Sequence, residues 1–315
     1  MTHHAPTSHS AARSRTRESA ILRAQSFCSW AIGRVVRDEI YRRPRAKKAF
    51  TRVVNALGGS KPVTRFIAGQ SISVVPSASI VEFRMAVCRA YEPAMTRYLQ
   101  ETLQPGMVVA DVGAHIGYFT LLAASRVGPT GCVVSFEPHP RNFRQLRHNV
   151  ALNGHDHVQP LQKALAATRG SMKLNLAHDD TAFTTMASIS SDATVDVDVE
   201  TLDEVLRGLG IDQCDFIKVD IEGAELLALR GMIETIERNP QLQFVIEVHS
   251  AQIRDLGGTA RELAEMMLGF GYQLSKLDDD GRPQPLAEAG AFTDEELGGY
   301  LVCRREAAAP ISATP

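Results

Sequence analysis

The chain has 315 residues, 44% of them hydrophobic, and its 34 Lys and Arg against 36 Asp and Glu leave a net charge of −2. That is apolar material for one large core, or a core with a small appendage; no apolar run approaches the roughly 18 residues of a membrane span, and the polar, His-rich start lacks the apolar stretch of a secretory signal. A cytoplasmic location is expected, and the five scattered cysteines, Cys28, Cys88, Cys132, Cys214 and Cys303, suggest neither a disulfide framework nor a zinc site.

Charge is unevenly spread. Residues 1–65 carry 14 Lys and Arg against 3 Asp and Glu, a net of +11 that leaves −13 for the remainder. Residues 1–18 hold almost no large apolar side chains, cannot offset the entropy of ordering, and read as a disordered basic tail. Deleting them should leave cooperative unfolding intact, which a melting experiment on the truncated protein checks. Over 19–65 a basic amphipathic helical extension is expected. Ile21, Ala24, Cys28, Ala31, Val35 and Ile40 recur at helical spacing beside Arg23, Arg34 and Arg37 until Pro44 interrupts. Such a helix suits packing on the main domain or on a second copy of the chain. Phe27, Trp30 and the basic face also suit a membrane surface or another protein, and a nucleic-acid arm is the remaining reading.

The main domain is expected over 66–306, with 307–315 a flexible tail. Residues 72–75 and 80–81 read as short strands split by Pro76, and 91–99 as a helix. Then comes the alternation of an α/β fold: a strand at 108–112, a helix over 138–153, a strand at 158–165, a strand at 214–220, a helix over 224–238 and a strand at 242–248. A helix near 261–269 and strand-like runs at 272–277 and 300–303 follow. Period-two alternation at 171–176 and 195–199 marks an inserted or edge β element, and Thr201-Leu-Asp-Glu204 is a capping box. A parallel sheet with right-handed crossovers and helices on both faces is the predicted architecture.

Chemistry concentrates where these strands end. The run Val108-Val-Ala-Asp-Val-Gly-Ala-His-Ile-Gly-Tyr-Phe119 closes an apolar strand on Asp111 and meets Gly113 and Gly117 before a helix. Glycines there can bring backbone amides up to a ligand with no Cβ in the way. Glu137 ends the next apolar run 26 residues after Asp111, where an α/β nucleotide site puts its ribose-binding acid. A nicotinamide site wants G-x-G-x-x-G, whereas here Gly113-x-x-x-Gly117 stands beside a carboxylate that would face the diphosphate. S-adenosylmethionine has no phosphate, and its ammonium and sulfonium gain from nearby acids, so it fits better. A nicotinamide-dependent oxidoreductase is the alternative enzyme, and a ligand-binding domain without turnover is the non-enzymatic alternative.

Asp220-Ile-Glu-Gly-Ala-Glu225 and Glu247-Val-His249 end two further strands, so Asp220, Glu222, Glu247 and His249 should crowd the edge that holds Asp111 and Glu137. Helix-end electrostatics, worth about 0.3–1 kcal/mol per acid, account for one or two of these carboxylates. Mutual repulsion among the rest calls for a cation: a bound sulfonium, a divalent metal on Asp220, Glu222 and Glu247, or Lys218. His115 and His139 read as loop or lining residues.

Seven segments together resemble the FkbM family of S-adenosylmethionine-dependent methyltransferases. They are Tyr91-Glu-Pro, Asp111 to Phe119, Phe136-Glu-Pro-His-Pro-Arg-Asn-Phe143, Asn149-Val-Ala-Leu-Asn-Gly154, Thr201-Leu-Asp203, Asp215-Phe-Ile-Lys-Val-Asp-Ile-Glu-Gly-Ala-Glu225 and Ile246-Glu-Val-His249. The resemblance covers about residues 91–302 and leaves out the first 60 or so. It implies a Rossmann-like class I methyltransferase sheet and methyl transfer to a hydroxyl of a small molecule, natural product or carbohydrate. Asp111, Gly113, His115, Gly117, Glu137 and Asp220 are then the implied cofactor contacts, and Asp220, Glu222 and His249 the implied catalytic groups. His115 stands where the family commonly shows Asn, which alters a contact to the methionine portion. The implied step is in-line displacement, with His249 or a carboxylate as general base or a divalent ion lowering the pKa of the hydroxyl. A small-molecule or glycan acceptor is expected, since the acidic main domain would repel nucleic-acid phosphates.

Overall fold

The computed structural model describes residues 52–56, 59–175, 194–286 and 292–305. The expected basic tail, the amphipathic helix up to Pro44 and the last residues lie outside these. Two compact units are present: one comprises Val74–Pro93 with the chain up to Ile67, the other Ala68–Ser73 with Ala94 onward.

In the first unit, β1 (Val63–Ile67) alternates in burial along its length, so the end of the expected helical extension is a strand. Arg65 Nε donates to Ala86 O at 2.8 Å within α1 (Ile80–Cys88). The strand expected at 80–81 is the first turn of that helix. Ser79 Oγ accepts from Glu82 N at 3.1 Å and the buried Glu82 carboxylate accepts from Val75 N at 2.5 Å, so local capping outweighs a β-branched pair.

The second unit contains all but the last residue of β2 (Gln70–Val74), all but the first of α2 (Pro93–Thr102), and β3 (Val108–Val112), α3 (Tyr118–Val127), β4 (Cys132–Phe136), α4 (Pro140–Leu152) and β5 (Val158–Leu161). An excursion follows through β6 (Ala164–Leu165), β7 (Gly170–Asn175) and β8 (Thr194–Glu200). The alternation resumes with α5 (Leu202–Gly208), β9 (Phe216–Val219), α6 (Glu225–Leu229), α7 (Ile233–Arg238) and β10 (Gln243–Val248). Last come α8 (Ser250–Asp255), α9 (Ala260–Gly269), β11 (Gln273–Leu277), β12 (Pro283–Pro285), α10 (Asp294–Leu297) and β13 (Gly299–Arg304).

The main sheet runs in the order β12-β11-β13-β10-β9-β3-β4-β5. Strands β10 to β5 of that order are parallel, and β13, β11 and β12 extend the sheet antiparallel, an edge that the parallel prediction lacked. Chain order reverses between β3 and β9, and the crevice beyond the carboxyl ends at such a reversal is where open α/β sheets take ligands. Alternation along β3 shows layers on both faces. Ala110 and Val112 join the core built with α5, α6, α7 and α9, whereas Asp111 meets Thr120 of α3 on the other face.

Three elements differ from the sequence reading. The strand expected over 158–165 is two strands in different sheets, β5 and β6, and the inserted β element is a separate sheet, β6-β8-β7, over its own small core of Ala164, Leu174, Val197 and Val199. The helix expected over 224–238 breaks between α6 and α7. There Gly231 packs so closely on the Ala166 carbonyl that a Cβ would overlap it. Cys88, Cys214 and Cys303 are buried free thiols and Cys132 is partly buried. No helix of the described residues is long and apolar enough to cross a membrane.

Candidate active site at the carboxyl edge of the sheet

The loop after β3 is shaped by its protein neighbours. Gly113 has φ +85°, and a Cβ there would overlap the Asp220 carbonyl oxygen, while at Gly117, with φ +97°, it would meet Leu146 Cδ1 of α4 at 2.7 Å. The amides of Gly113 and Ala114 both donate to Phe136 O, at 3.0 and 2.9 Å, and Gly117 N donates to Ala114 O at 2.8 Å. Those N–H groups are spent within the protein, and the glycines let β9 and α4 close on the loop. Asn149 of α4 helps hold it, donating from Nδ2 to Ile116 O at 2.8 Å while its Oδ1 accepts from Ser73 N of β2 at 2.9 Å. One helical turn on, Asn153 exchanges two such bonds with Ser71.

Asp111 lies beneath this loop. It is 1% exposed, accepts from Thr120 Oγ1 at 2.5 Å, and faces Lys218, its register partner on β9, at 3.5 Å. Lys218 Nζ also donates to Gly113 O at 3.0 Å and pairs with Asp220 at 3.2 Å. One buried ammonium thus ties the loop to two strand ends, supplying from within the protein a cation that the acids require. Its bond to the Gly113 carbonyl is a link between residues far apart in sequence.

Glu137 accepts from His115 N on one oxygen at 2.8 Å and from His139 N on the other at 2.9 Å. Burial pushes its carboxyl up to about 7, against the pull of those two amides, the Asn142 side chain and the Lys218 charge. With these three donors already on its two oxygens, the group keeps capacity to accept from one further hydroxyl. His115, at φ +50°, is driven down to about 3 by burial first and then by the Arg141 charge, and its neutral ring has a buried Nε2 without a hydrogen-bond partner. His139 is a cap: its Nδ1 accepts from Arg141 N at 3.1 Å at the start of α4. Free acceptor capacity on Glu137, an unmatched Nε2 on His115 and the partly exposed Asp220 make this crevice chemically suited to an adenosine ribose and a cationic amino acid, as S-adenosylmethionine provides.

The second half of the site gathers at the ends of β9 and β10. Glu222 sits at φ +52° and Gly223 at φ +106°, a kink that turns the chain sharply into α6. Glu225, fully buried at the start of α6, accepts on Oε1 from Gly223 N at 3.0 Å and from His249 Nδ1 at 2.8 Å. His249 Nε2 then lies 3.5 Å from Glu222 Oε2 and 3.8 Å from Glu247 Oε1. Burial alone would lower the imidazole, but the bond to Glu225 and the charges of Glu222, Glu225 and Asp220 outweigh it and raise its pKa to about 10. With no metal bound, those acids favour the protonated ring. The sequence reading missed Glu225 as a partner of this histidine because an acid opening a helix is explained by capping alone.

Asp220, Glu222 and His249 can also each offer one ligand atom within 4.8 Å of the others, a spacing compatible with a metal ion. Asp220, Glu222 and Glu247 are 21%, 19% and 26% exposed, which leaves all three able to meet an acceptor.

Residues 111–274, just over half of the chain, match the family described as the methyltransferase FkbM domain. The chain is 31% identical over 157 residues to methyltransferase sdnD of Sordaria araneosa, across 40% of this chain and 60% of that protein. It is 26% identical over 190 residues to hexuronic acid methyltransferase AglP of Haloferax volcanii, across 60% and 74%. It is 27% identical over 200 residues to 31-O-demethyl-FK506 methyltransferase FkbM of Streptomyces tacrolimicus, across 54% and 74%. The chain thus spans less than two thirds of the Sordaria protein and about three quarters of the other two.

Proposed function

The chain belongs to the FkbM methyltransferase family, and from that premise we propose that it transfers a methyl group from S-adenosylmethionine to a hydroxyl oxygen of a small molecule, natural product or carbohydrate. The observation that carries this reading is the placement, at the carboxyl edge around one switch point of the sheet, of a buried acid just after β4 and a carboxylate and histidine cluster just after β9 and β10. Two relatives, named for a hexuronic acid and for 31-O-demethyl-FK506, support hydroxylated acceptors. Family membership weighs against the nicotinamide alternative. The free buried thiols fit a reducing, cytoplasmic setting.

When bound, S-adenosylmethionine supplies a methyl carbon made electrophilic by its sulfonium. The chain's own part is to hold the acceptor in line and to manage its proton. With His249 cationic, its neighbour Glu222 is the group assigned to take that proton. The imidazolium offsets the charge of the three acids and can donate from Nε2 to the acceptor oxygen. A panel of hydroxylated acceptors incubated with methyl-labelled cofactor tests the proposal. Label on an acceptor oxygen is the expected result, whereas cofactor binding with no transfer to any acceptor would favour the non-catalytic alternative.

A divalent ion is a second reading, favoured by the spacing of Asp220, Glu222 and His249. Those residues would hold it, and it would lower the pKa of a bound hydroxyl. The imidazolium reading expects turnover to survive exhaustive chelation unchanged. Loss on chelation, with recovery on adding a divalent ion, would establish the metal instead.

Glu137 makes a separate prediction. Ribose hydroxyls donating to it favour the charged form, so binding should release a proton and affinity should rise with pH until it levels off above about 7. Glu137→Gln should abolish that dependence and weaken binding by about 1.5–3 kcal/mol, the range for bonds to a charged group. Calorimetry in buffers of different ionisation enthalpy reads both effects, and a pH-independent wild-type affinity would remove Glu137 from the cofactor site.

A further inference from the structure

A second polar site lies at the other end of the sheet. Gln243 opens β10 and Arg304 closes β13, whose register pairs Phe244 with Cys303. With Tyr98, Glu101 and Thr102 of α2 and Arg282 beside β12, they wall a cavity of about 420 Å³. The length of β10 separates it from His249 by roughly 20 Å at about 3.3 Å per residue, so it is no part of the catalytic cleft.

Its walls hold more hydrogen-bonding capacity than the protein uses. Arg304 carries five N–H donors. Its guanidinium lies 5.3 Å over the Tyr98 ring and donates to Thr102 Oγ1 at 3.1 Å, while its Nε is buried with no hydrogen-bond partner. Gln243 Oε1 is likewise a buried acceptor without a donor. Burial raises the pKa of the Tyr98 hydroxyl despite the opposing pull of Arg304 and Thr102, and it meets neither in hydrogen-bond geometry. Arg305, by contrast, is committed to the carbonyls of Phe270, Ile236 and Asn239. The lining carries three guanidinium groups against the carboxylate of Glu101, and the Arg282 guanidinium also lies 3.8 Å from Asp280.

We propose that this cavity binds a small hydroxylated oxyanion, a carboxylate or phosphate ester, apart from the methyl-transfer site. The anionic group would take the remaining donors of Arg304 and compete with Asp280 for Arg282, and hydroxyls would donate to Gln243 and Glu101. A cavity of this size falls in the range of small-ligand sites.

Thermal melting and calorimetry on the full chain test this with two probes, citrate and ribose 5-phosphate, against sodium chloride at matched ionic strength, each with and without S-adenosylhomocysteine. A saturable rise in Tm from either probe that persists with S-adenosylhomocysteine present is expected, and the responding probe identifies the anionic group. Arg304→Gln and Arg282→Gln should each weaken it about tenfold, the loss of one charge-assisted bond. Arg282 is 70% exposed, so its variant keeps the test valid if Arg304→Gln fails to fold. No effect beyond that of sodium chloride, loss of the effect when S-adenosylhomocysteine is present, or an undiminished effect in Arg282→Gln would each overturn the proposal.

Discussion

Gly113→Ala is expected to destabilise the protein by about 4 kcal/mol or more, the upper tail of single substitutions. Its φ of +85° costs an L side chain about 1–2 kcal/mol alone. The larger part is steric: the new methyl would overlap the Asp220 carbonyl oxygen, with the carbonyl carbon only 2.8 Å away. Relief requires β3 and β9 to part where Lys218 ties them together, so cofactor binding should fail along with stability. Gly154→Ala separates the two causes. Gly154 has φ +64°, a Cβ added there would meet nothing within 4 Å, and the substitution should cost only about 1 kcal/mol. Chemical denaturation of both variants checks this, and equal losses would show that backbone conformation, not the approach of Asp220, explains the glycine.

His249→Ala should lower kcat by roughly a hundredfold to a thousandfold, the range for removing one donor aimed at the reacting centre, with cofactor affinity nearly unchanged. The variant also leaves the Glu225 carboxylate buried without its partner, which can cost about 3–5 kcal/mol in stability. The double variant Glu225→Gln/His249→Ala removes both charges and should recover much of that stability without recovering turnover. Glu222→Gln should lower turnover while His249 and Glu225 remain in place, as befits the assigned proton acceptor. Single-turnover kinetics with calorimetric cofactor binding measure the split. Normal turnover in His249→Ala would dismiss this histidine, and normal turnover in Glu222→Gln would move the proton to Glu247.

The sequence by itself determined the outline of the strand and helix alternation between Val108 and Val248, the glycine turn, and the strand-end positions of Asp111, Glu137, Asp220, Glu222, Glu247 and His249. Those features are local: a period of two or 3.6, a turn residue, or an acid at the end of an apolar run can each be read within a dozen residues. Local reading failed where a neighbour distant in sequence set the outcome. The helix breaks at Gly231, where the Ala166 carbonyl leaves no room for a side chain, and Gly113 has no room for one because Asp220 arrives from the neighbouring strand end. Lys218 was legible as a nearby cation, but its triple link to Asp111, Gly113 and Asp220 depends on the register of β3 with β9. The charge on His249 was decided in the same way. A histidine among acids is written in the chain, but whether it is a base or a fixed cation depends on burial and on Glu225 reaching Nδ1, and only the folded protein sets those distances and that exclusion of water.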